Sequence, residues 1–408
     1  MTDDTTQEPS PMRRRKFLRS VASIGVSGTA LARMSHRGRA ASPNNSEDGV
    51  LRYGGYQITN LDEVRKQNAS PQREPVYYTI SRNKWVDVES AHDARRQIEQ
   101  SLPTLPTKNK QLYAEVGEVS PGRKAVFVRY PYTEGEREID RIDLSYSQLN
   151  ENLPSSITGV AGRGTDSEVS ISDIPVILTR SSIELEYYEY TYRNPGIPAG
   201  CAFRNSYGNR GATIGTPAYS NSLNEQVLII AGHSYDNYGG NIWQPTAKHS
   251  WDASDPNCIG QVNSNQWENT STFDAAVVEV FDEDENTNPD TDYSTYYGFA
   301  AAGDNSYRSE NIGGIKSHQW LRDHEGYRLG KQGEATGIET GSITYVGNTH
   351  FRTNADSGKG DSGGPHYRRT GSDTLNIAGI HKGSDPDHNY DSVATSIEKI
   401  LNRWNMYI

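Results

Sequence analysis

From about residue 195 to the end of the chain, short β-rich runs recur between clusters of glycine, asparagine, serine and aspartate. The runs cover residues 226–231, 275–281, 341–346 and 375–380. Several short strands separated by turn-forming residues are typical of a β-barrel or a β-sandwich. One amphipathic stretch follows at 396–404, with apolar residues at helical spacing. The second half is therefore predicted to be an all-β body with a C-terminal helix.

The first half of the chain has a different residue pattern, with both helix and strand signals. Residues 76–80 have a strand pattern, and residues 90–102 carry apolar side chains three and four positions apart, which predicts a helix. We expect His92 to lie on the solvated surface of that helix. Further strands are predicted at 124–130 and 174–179, so residues 42–190 form a smaller α+β region. No catalytic constellation occurs there, and the region is either a removable pro-region or a permanent accessory domain.

The N-terminus has the pattern of an export signal. A basic run at 13–19 precedes a modest apolar stretch, and small residues follow at Ala40 and Ala41. This arrangement is typical of a secretory signal peptide, predicted here over residues 1–41. The pair Arg14-Arg15 resembles the twin-arginine export signal. We therefore expect the export machinery to secrete the protein to the extracellular space. A nucleic-acid-binding arm would leave the apolar stretch unexplained.

Charge and hydropathy exclude other classes of partner. The chain has 408 residues and a net charge of −11, of which −10 falls on residues 191–408. Binding to phosphate groups requires clustered lysine and arginine, so no nucleic-acid partner is expected for this half. An acidic surface of this kind keeps a protein soluble. No run of 18 apolar residues occurs, and stable membrane insertion is not expected.

One glycine-rich segment suggests nucleophilic chemistry. Residues 360–365 read Gly-Asp-Ser-Gly-Gly-Pro, where glycines let the backbone turn sharply and expose the hydroxyl of Ser362. Two amide groups that point at one spot in such a turn can stabilise an oxyanion. A serine nucleophile also needs a base, which a carboxylate orients. His233 follows a strand-like run and Asp274 precedes another, so the chain order is His, Asp, Ser.

These segments resemble the motifs of the trypsin/chymotrypsin-like serine proteases. Residues 360–365 match the nucleophile motif, 231–233 the histidine motif and 273–277 the aspartate motif. Residues 333–343 resemble the Gly-Thr-Gly hairpin of the bacterial branch, which includes the streptogrisins and α-lytic-type enzymes. The four matches fall in family order within residues 195–408. The resemblance implies two six-stranded antiparallel β-barrels, with a triad in the cleft between them.

The resemblance also implies a mechanism. Ser362 would attack the peptide carbonyl, His233 would take its proton and Asp274 would orient the imidazole. The backbone N–H groups of Gly360 and Ser362 would hold the oxyanion. The predicted function is that of a secreted serine endopeptidase acting on polypeptides, with no metal or organic cofactor. Calcium on the acidic loop 282–292 remains an open possibility, although the spacing of its residues fits no defined site.

Several alternatives remain open at this stage. The glycine-rich run can be a structural turn, and His249 is the nearest rival base. Asp282 and Asp284 compete with Asp274, although they lie in an acidic loop. A catalytically silent β-barrel that serves as a secreted binding module belongs to another functional class. An esterase acting on nonpeptide substrates is a third possibility.

The two cysteines could form one disulfide. Export permits disulfides, and a bridge between Cys201 and Cys258 would close a loop around the region of His233. In the family a cysteine usually follows the histidine directly, but Ser234 stands there in this chain. We predict the Cys201–Cys258 bridge, with two buried thiols as the alternative.

Substrate preference gives conflicting signals. Asp356 lies six residues before the serine, where trypsin-like enzymes carry a carboxylate that binds Lys or Arg, and Ser357 fits the same pattern. Residues 379–384, however, resemble the pocket strand of the glutamyl endopeptidases, and His381 and Ser384 match the residues that bind an acidic side chain there. A carboxylate beside an acidic substrate would repel it by about 1 kcal/mol in water. The balance favours cleavage after Glu or Asp; alternatively, Asp356 binds Lys or Arg, or neither residue lines the pocket.

Overall fold

The computed structural model describes residues 49–65, 70–102, 112–131, 146–181, 196–205, 211–235, 240–244, 257–281, 294–300, 307–385 and 391–408. Several predictions concern residues outside these ranges. They are the signal peptide 1–41, the rival base His249, the rival carboxylates Asp282 and Asp284, and the acidic loop 282–292.

Strands dominate the described residues. The helices are α1 (Leu61–Arg65), α2 (Arg82–Ser101), α3 (Tyr146–Asn152), α4 (His318–Asp323) and α5 (Ile397–Arg403). The strands are β1 (Gly49–Ile58), β2 (Arg73–Ser81), β3 (Tyr113–Ser120), β4 (Arg123–Pro131), β5 (Ser156–Ala161), β6 (Val169–Ser181), β7 (Gly196–Ala199), β8 (Ala202–Asn205), β9 (Gly211–Thr213), β10 (Thr216–Ser220), β11 (Glu225–Ile230), β12 (Asn241–Trp243), β13 (Cys258–Asn269), β14 (Asp274–Val280), β15 (Ser294–Ala300), β16 (Tyr307–Lys316), β17 (Arg328–Gly333), β18 (Gly337–Val346), β19 (His350–Thr353), β20 (Pro365–Arg369), β21 (Thr374–Asp385), β22 (Asp391–Ser396) and β23 (Met406–Tyr407).

Six strands near the C-terminus close into an antiparallel barrel. Strand β17 pairs with β18, β18 with β19, β19 with β22, β22 with β21, β21 with β20, and β20 with β17. Closure leaves no strand edge within this ring. Ser362 lies in the connection between β19 and β20, so the closed barrel carries the predicted nucleophile.

The other two predicted triad residues belong to a second sheet. Its eight strands run in the order β23-β10-β11-β14-β13-β12-β8-β9. Strands β9 and β10, near its two ends, are consecutive along the chain. His233 follows β11, and Asp274 begins its neighbour β14. The prediction of two six-stranded barrels is thus confirmed in part, as one closed barrel and this antiparallel sheet. The predicted C-terminal helix is α5, which buries Ile397, Ile400 and Leu401.

The N-terminal region contains both helix and strands, and its strands continue the sheet of the closed barrel. Strand β1 pairs with β16, and β3 pairs with β18 at Val116 and Gly117. Tyr56 and Ile58 belong to the same hydrophobic cluster as Ile400 and Ile408 near the C-terminus. Residues far apart in the chain therefore share one core.

The expectation for His92 is wrong. Helix α2 begins at Arg82 rather than near residue 90, and His92 is buried, with 1% of its surface exposed. The helix packs against β3, β4 and β5 of its own region and also contacts α4. Helix α4 lies more than 200 residues away in the chain, so local periodicity could not show that this face is covered.

The predicted disulfide is also wrong. Cys201 and Cys258 are both buried, and no disulfide joins them. Strand β12 lies between β8, which follows Cys201, and β13, which begins at Cys258. Neighbouring strands lie about 4.8 Å apart, so two such spacings exceed the roughly 7 Å that a disulfide can span between Cα atoms. The Cys201 thiol donates instead to the carbonyl of Pro198 at 3.2 Å.

Candidate active site

A short, well-supported turn positions His233. The 3₁₀ turn Gly232–Ser234 directly follows β11. Trp267 Nε1 donates to the carbonyls of Gly232, at 2.8 Å, and Tyr235, at 2.9 Å. A Cβ on Gly232 would lie 2.4 Å from the carbonyl oxygen of Glu268, so a larger residue does not fit. The turn therefore fixes where the imidazole leaves the backbone.

Asp274 bonds to His233 twice. Its Oδ1 accepts from the backbone N–H of His233 at 2.9 Å, and its Oδ2 lies 2.6 Å from the ring Nδ1. Burial alone would raise the pKa of Asp274, but the contacts with His233, together with the charge of Lys382, hold that pKa below its ordinary value. An ionised carboxylate in this place puts the imidazole proton on Nδ1 and leaves Nε2 as a proton acceptor.

Ser362 completes the row of hydrogen bonds. Its Oγ lies 2.9 Å from His233 Nε2. All three side chains are buried, with His233 1% exposed and the other two 0%. The structure thus brings together the three residues predicted as a triad. The arrangement can transfer a proton from the hydroxyl to the imidazole while a carboxylate stabilises the cation.

The backbone around Ser362 needs its glycines. Gly360 has a φ of +116° and Gly363 a φ of +93°, a region that side chains other than glycine rarely adopt. Thr213 also fastens the loop from the neighbouring sheet. Its N–H donates to the Ser362 carbonyl at 2.8 Å, and its Oγ1 donates to the Gly360 carbonyl at 2.7 Å. The amides of Gly360 and Ser362, the predicted oxyanion donors, therefore belong to a constrained turn.

Lys331, which was not predicted as a site residue, supports this turn through Asp361. Its Nζ donates to Asp361 Oδ2 at 2.5 Å, and both side chains are fully buried. The same carboxylate accepts from the backbone amides of Ala335 and Thr336 and from that of Gly358. Burial would raise the pKa of Asp361, but Lys331 holds it below its ordinary value. No local sequence signal marks Lys331, which lies 30 residues earlier.

The four predicted substrate-binding residues fall into two groups. Asp356 is exposed and Ser357 is half-buried, whereas His381 and Ser384 are buried.

His381 has two polar neighbours that the sequence analysis missed. His381 Nδ1 lies 3.3 Å from Ser392 Oγ and 3.3 Å from His366 Nε2, and the two imidazole rings stack. Burial, together with the neighbouring His381, keeps the pKa of His366 well below its ordinary value. Strand register creates this cluster, because β20 and β22 both flank β21.

The described residues contain neither a metal-binding cluster nor a membrane-crossing helix. No group of three or more histidine, cysteine, aspartate or glutamate side chains there is placed to hold a metal ion. None of the helices in those ranges is long and apolar enough to cross a membrane.

Comparison with known proteins gives only structural likenesses. No family model and no curated protein matches the chain. It is similar to Thermobifida fusca protease A, with 17% identity, a TM-score of 0.35, and coverage of 52% of this chain and 97% of that one. A glutamic acid specific serine protease, described as using a histidine triad in substrate binding, has 17% identity, a TM-score of 0.36, and coverage of 52% and 100%. Cellulomonas bogoriensis chymotrypsin has 16% identity, a TM-score of 0.33, and coverage of 52% and 98%. With TM-scores below 0.5, these likenesses do not decide what the site does.

Proposed function

We propose that this chain is a serine endopeptidase that cleaves peptide bonds through Ser362, His233 and Asp274. One observation carries the proposal, the continuous row of hydrogen bonds from Ser362 Oγ through the imidazole to the Asp274 carboxylate, at 2.9 Å and 2.6 Å. The constrained glycine turn around Ser362 supports it, because a nucleophile of this kind needs nearby amide donors.

The reaction proceeds in two halves. Ser362 Oγ attacks the peptide carbonyl carbon while His233 Nε2 takes the hydroxyl proton, and Asp274 stabilises the imidazolium. The amides of Gly360 and Ser362 bind the oxyanion; removing one such donor typically costs about 3 kcal/mol of barrier height. His233 then gives its proton to the leaving amine, and an acyl-enzyme forms. Water hydrolyses the ester by the same sequence of proton transfers.

The preferred substrate residue in this proposal is Glu or Asp. We assign the proton of the neutral His381 ring to Nε2, with Nδ1 accepting a hydrogen bond from the Ser392 hydroxyl or from His366 Nε2–H. An Nε2–H group is the donor that a substrate carboxylate requires. Asp356 is exposed, and solvent screens its repulsion of such a substrate. Cleavage after Lys or Arg through Asp356 is the competing preference.

Matched peptides that differ only at the residue before the scissile bond test this preference. His381→Ala should reduce cleavage after Glu far more than cleavage after an apolar residue, and Asp356→Ala should have little effect on either. Faster cleavage after Lys, lost in Asp356→Ala, would show that the enzyme prefers basic residues.

Export and the role of residues 42–190 complete the proposal. The removable version predicts that processing exposes Ser362 and His233, which are buried in the 408-residue chain. The pairing of β1 with β16, and the place of Tyr56 in the shared core, support a permanent accessory domain. N-terminal sequencing of the active secreted species distinguishes the two, since a start near residue 42 excludes the removable version.

Covalent labelling with a fluorophosphonate tests the central proposal. The wild type should be labelled at Ser362 and should digest casein, whereas Ser362→Ala should lose the label and several orders of magnitude of activity while it remains folded. Ser372→Ala is a matched control, because this exposed serine lies in a turn of the same barrel. If the folded species isolated after secretion neither reacts nor digests casein, the protein is a silent binding module. Hydrolysis of a p-nitrophenyl ester without casein digestion would indicate an esterase.

A further inference from the structure

A buried lysine connects the two halves of the candidate site. Lys382 lies on β21 of the closed barrel and is 3% exposed. Its Nζ donates to the backbone carbonyl of Thr270. Thr270 begins the turn that leads into Asp274, and this turn is closed by hydrogen bonds between Thr270 and Phe273. Lysine is among the residues least often buried, so its place here calls for an explanation.

Lys382 also contacts the nucleophile. Its backbone carbonyl oxygen lies 3.5 Å from Ser362 Oγ. One residue of the closed barrel thus touches the serine through its backbone and the turn before Asp274 through its side chain. Catalytic groups must stay within about 0.5 Å of their productive geometry. Asp274 and Ser362 lie on different sheets, so this geometry depends on contacts between the sheets.

We propose that Lys382 is a positioning residue of the triad, which fastens the turn before Asp274 to the barrel that carries Ser362 and keeps a positive charge beside the His233–Asp274 pair. This inference rests on the proposed peptidase function and deepens it.

A second contact between the sheets also fastens the segment at Asp274 to the closed barrel, but it carries no charge. Thr395 Oγ1, on β22, accepts from the backbone N–H of Asp274 at 3.1 Å and donates to its carbonyl, also at 3.1 Å. Thr395 and Lys382 therefore fasten the same segment from adjacent strands. Only Lys382 adds a cation. Variants of the two residues therefore distinguish the effect of the hydrogen bonds from the effect of the charge.

Lys382 stays cationic at neutral pH, although burial and one of its charged neighbours oppose the charge. Asp274 faces it from β14, while Arg352 and His350 face it from β19. Burial lowers the pKa of Lys382 to about 8, and Arg352 acts in the same direction, whereas Asp274 opposes both. The ammonium thus persists at pH 7, where it contributes to the lowered pKa of Asp274.

The test compares kcat, KM and pH profiles for four variants. Lys382→Met should lower kcat by roughly ten- to a hundredfold with little change in KM, since a misplacement of about 1 Å has effects of that size. Its acid limb of kcat/KM should move to higher pH, because removing a nearby cation favours the protonated His233–Asp274 pair. Lys382→Gln keeps a donor without charge, so it should show the same shift with a smaller loss of kcat. Thr395→Val should lower kcat without any shift, and Lys316→Met should change neither quantity, since that lysine lies over Trp320.

The outcomes separate this inference from the proposed function. If wild-type protein neither labels at Ser362 nor cleaves peptides, the proposed function fails and the inference fails with it. If the wild type is active and Lys382→Met keeps its kcat and acid limb, only the inference is overturned. A loss of kcat with an unmoved acid limb in both Lys382 variants would make the lysine merely structural. If Lys382→Met does not fold, Lys382→Gln alone shows whether the acid limb of kcat/KM moves.

Discussion

Replacement of Glu115 by glutamine should weaken the attachment of the N-terminal region to the closed barrel. Glu115 lies on β3, and its carboxylate accepts from Arg129 Nε at 2.6 Å, from His350 Nε2 at 2.6 Å and from Arg352 Nε at 2.8 Å. Glu115 and both arginines are fully buried. Two of the three donors belong to β19, so this one carboxylate joins the N-terminal region to the closed barrel.

The expected loss follows from the burial of the network. Removal of one partner from a buried ion pair leaves an uncompensated charge, which typically costs 3–5 kcal/mol. Arg352 keeps a second carboxylate, Asp385, and a bond to Tyr113. We therefore expect Glu115→Gln to lower the free energy of unfolding by about 3–5 kcal/mol, the cost of one broken pair.

The difference in unfolding free energy between wild type and Glu115→Gln should decrease as the pH falls. Burial alone would raise the pKa of Glu115, but Arg352 and Arg129 hold it well below its ordinary value. The unfolded chain therefore binds this proton more readily than the folded chain does. The stabilisation is present above the unfolded pKa of about 4.3 and is lost as the pH falls through the folded value. The gap between wild type and Glu115→Gln should shrink in acid.

Denaturant unfolding, followed by tryptophan fluorescence in a Ser362→Ala background that prevents self-digestion, measures the change. Glu118→Gln is the matched control, because Glu118 lies on the same strand with its side chain 41% exposed and pairs with Lys124 at 3.2 Å. Exposed pairs contribute about 0–1 kcal/mol. Equal small losses in the two variants would refute the role assigned to the Glu115 network.

Three further expectations concern buried groups. Lys331→Met should leave the Asp361 carboxylate without its cation, lowering kcat more than it raises KM and destabilising the fold by about 3–5 kcal/mol; unchanged kinetics and unfolding would contradict this. Iodoacetamide, added to unfolded protein without reductant, should alkylate both Cys201 and Cys258, whereas a mass without either adduct would show a disulfide. Because burial lowers the pKa of Lys382 to about 8, the unfolded chain binds more protons between pH 8 and 10.5. Wild-type stability should therefore rise over that range relative to Lys382→Met by up to about 3 kcal/mol, and parallel pH curves would refute the shift.

Much of the candidate site could be predicted from the sequence, because its chemistry depends on local patterns. Glycines beside Ser362 indicate a sharp turn whatever the rest of the fold does. A histidine after one apolar run and an aspartate before another indicate a strand end and a strand start, and the resemblance to the serine proteases implied that the two residues meet. The hydrogen bonds among Ser362, His233 and Asp274 agree with that prediction. Short β-rich runs likewise predicted the strands of the second half.

The remaining features depend on strand order and register, which no local pattern records. Lys382 bonds to Thr270 across 112 residues, and Lys331 bonds to Asp361 across 30. His92 has a polar context in sequence but is buried, because its helix packs against distant elements.

The cysteines also show that strand order cannot be predicted from local sequence. Their spacing in sequence allows a bridge, but the strand between them in the sheet keeps Cys201 and Cys258 apart. Sequence determines the conformation that each segment favours and the chemistry that its side chains can perform. Only the tertiary structure decides which distant side chains meet, because that depends on how the sheets pair and pack.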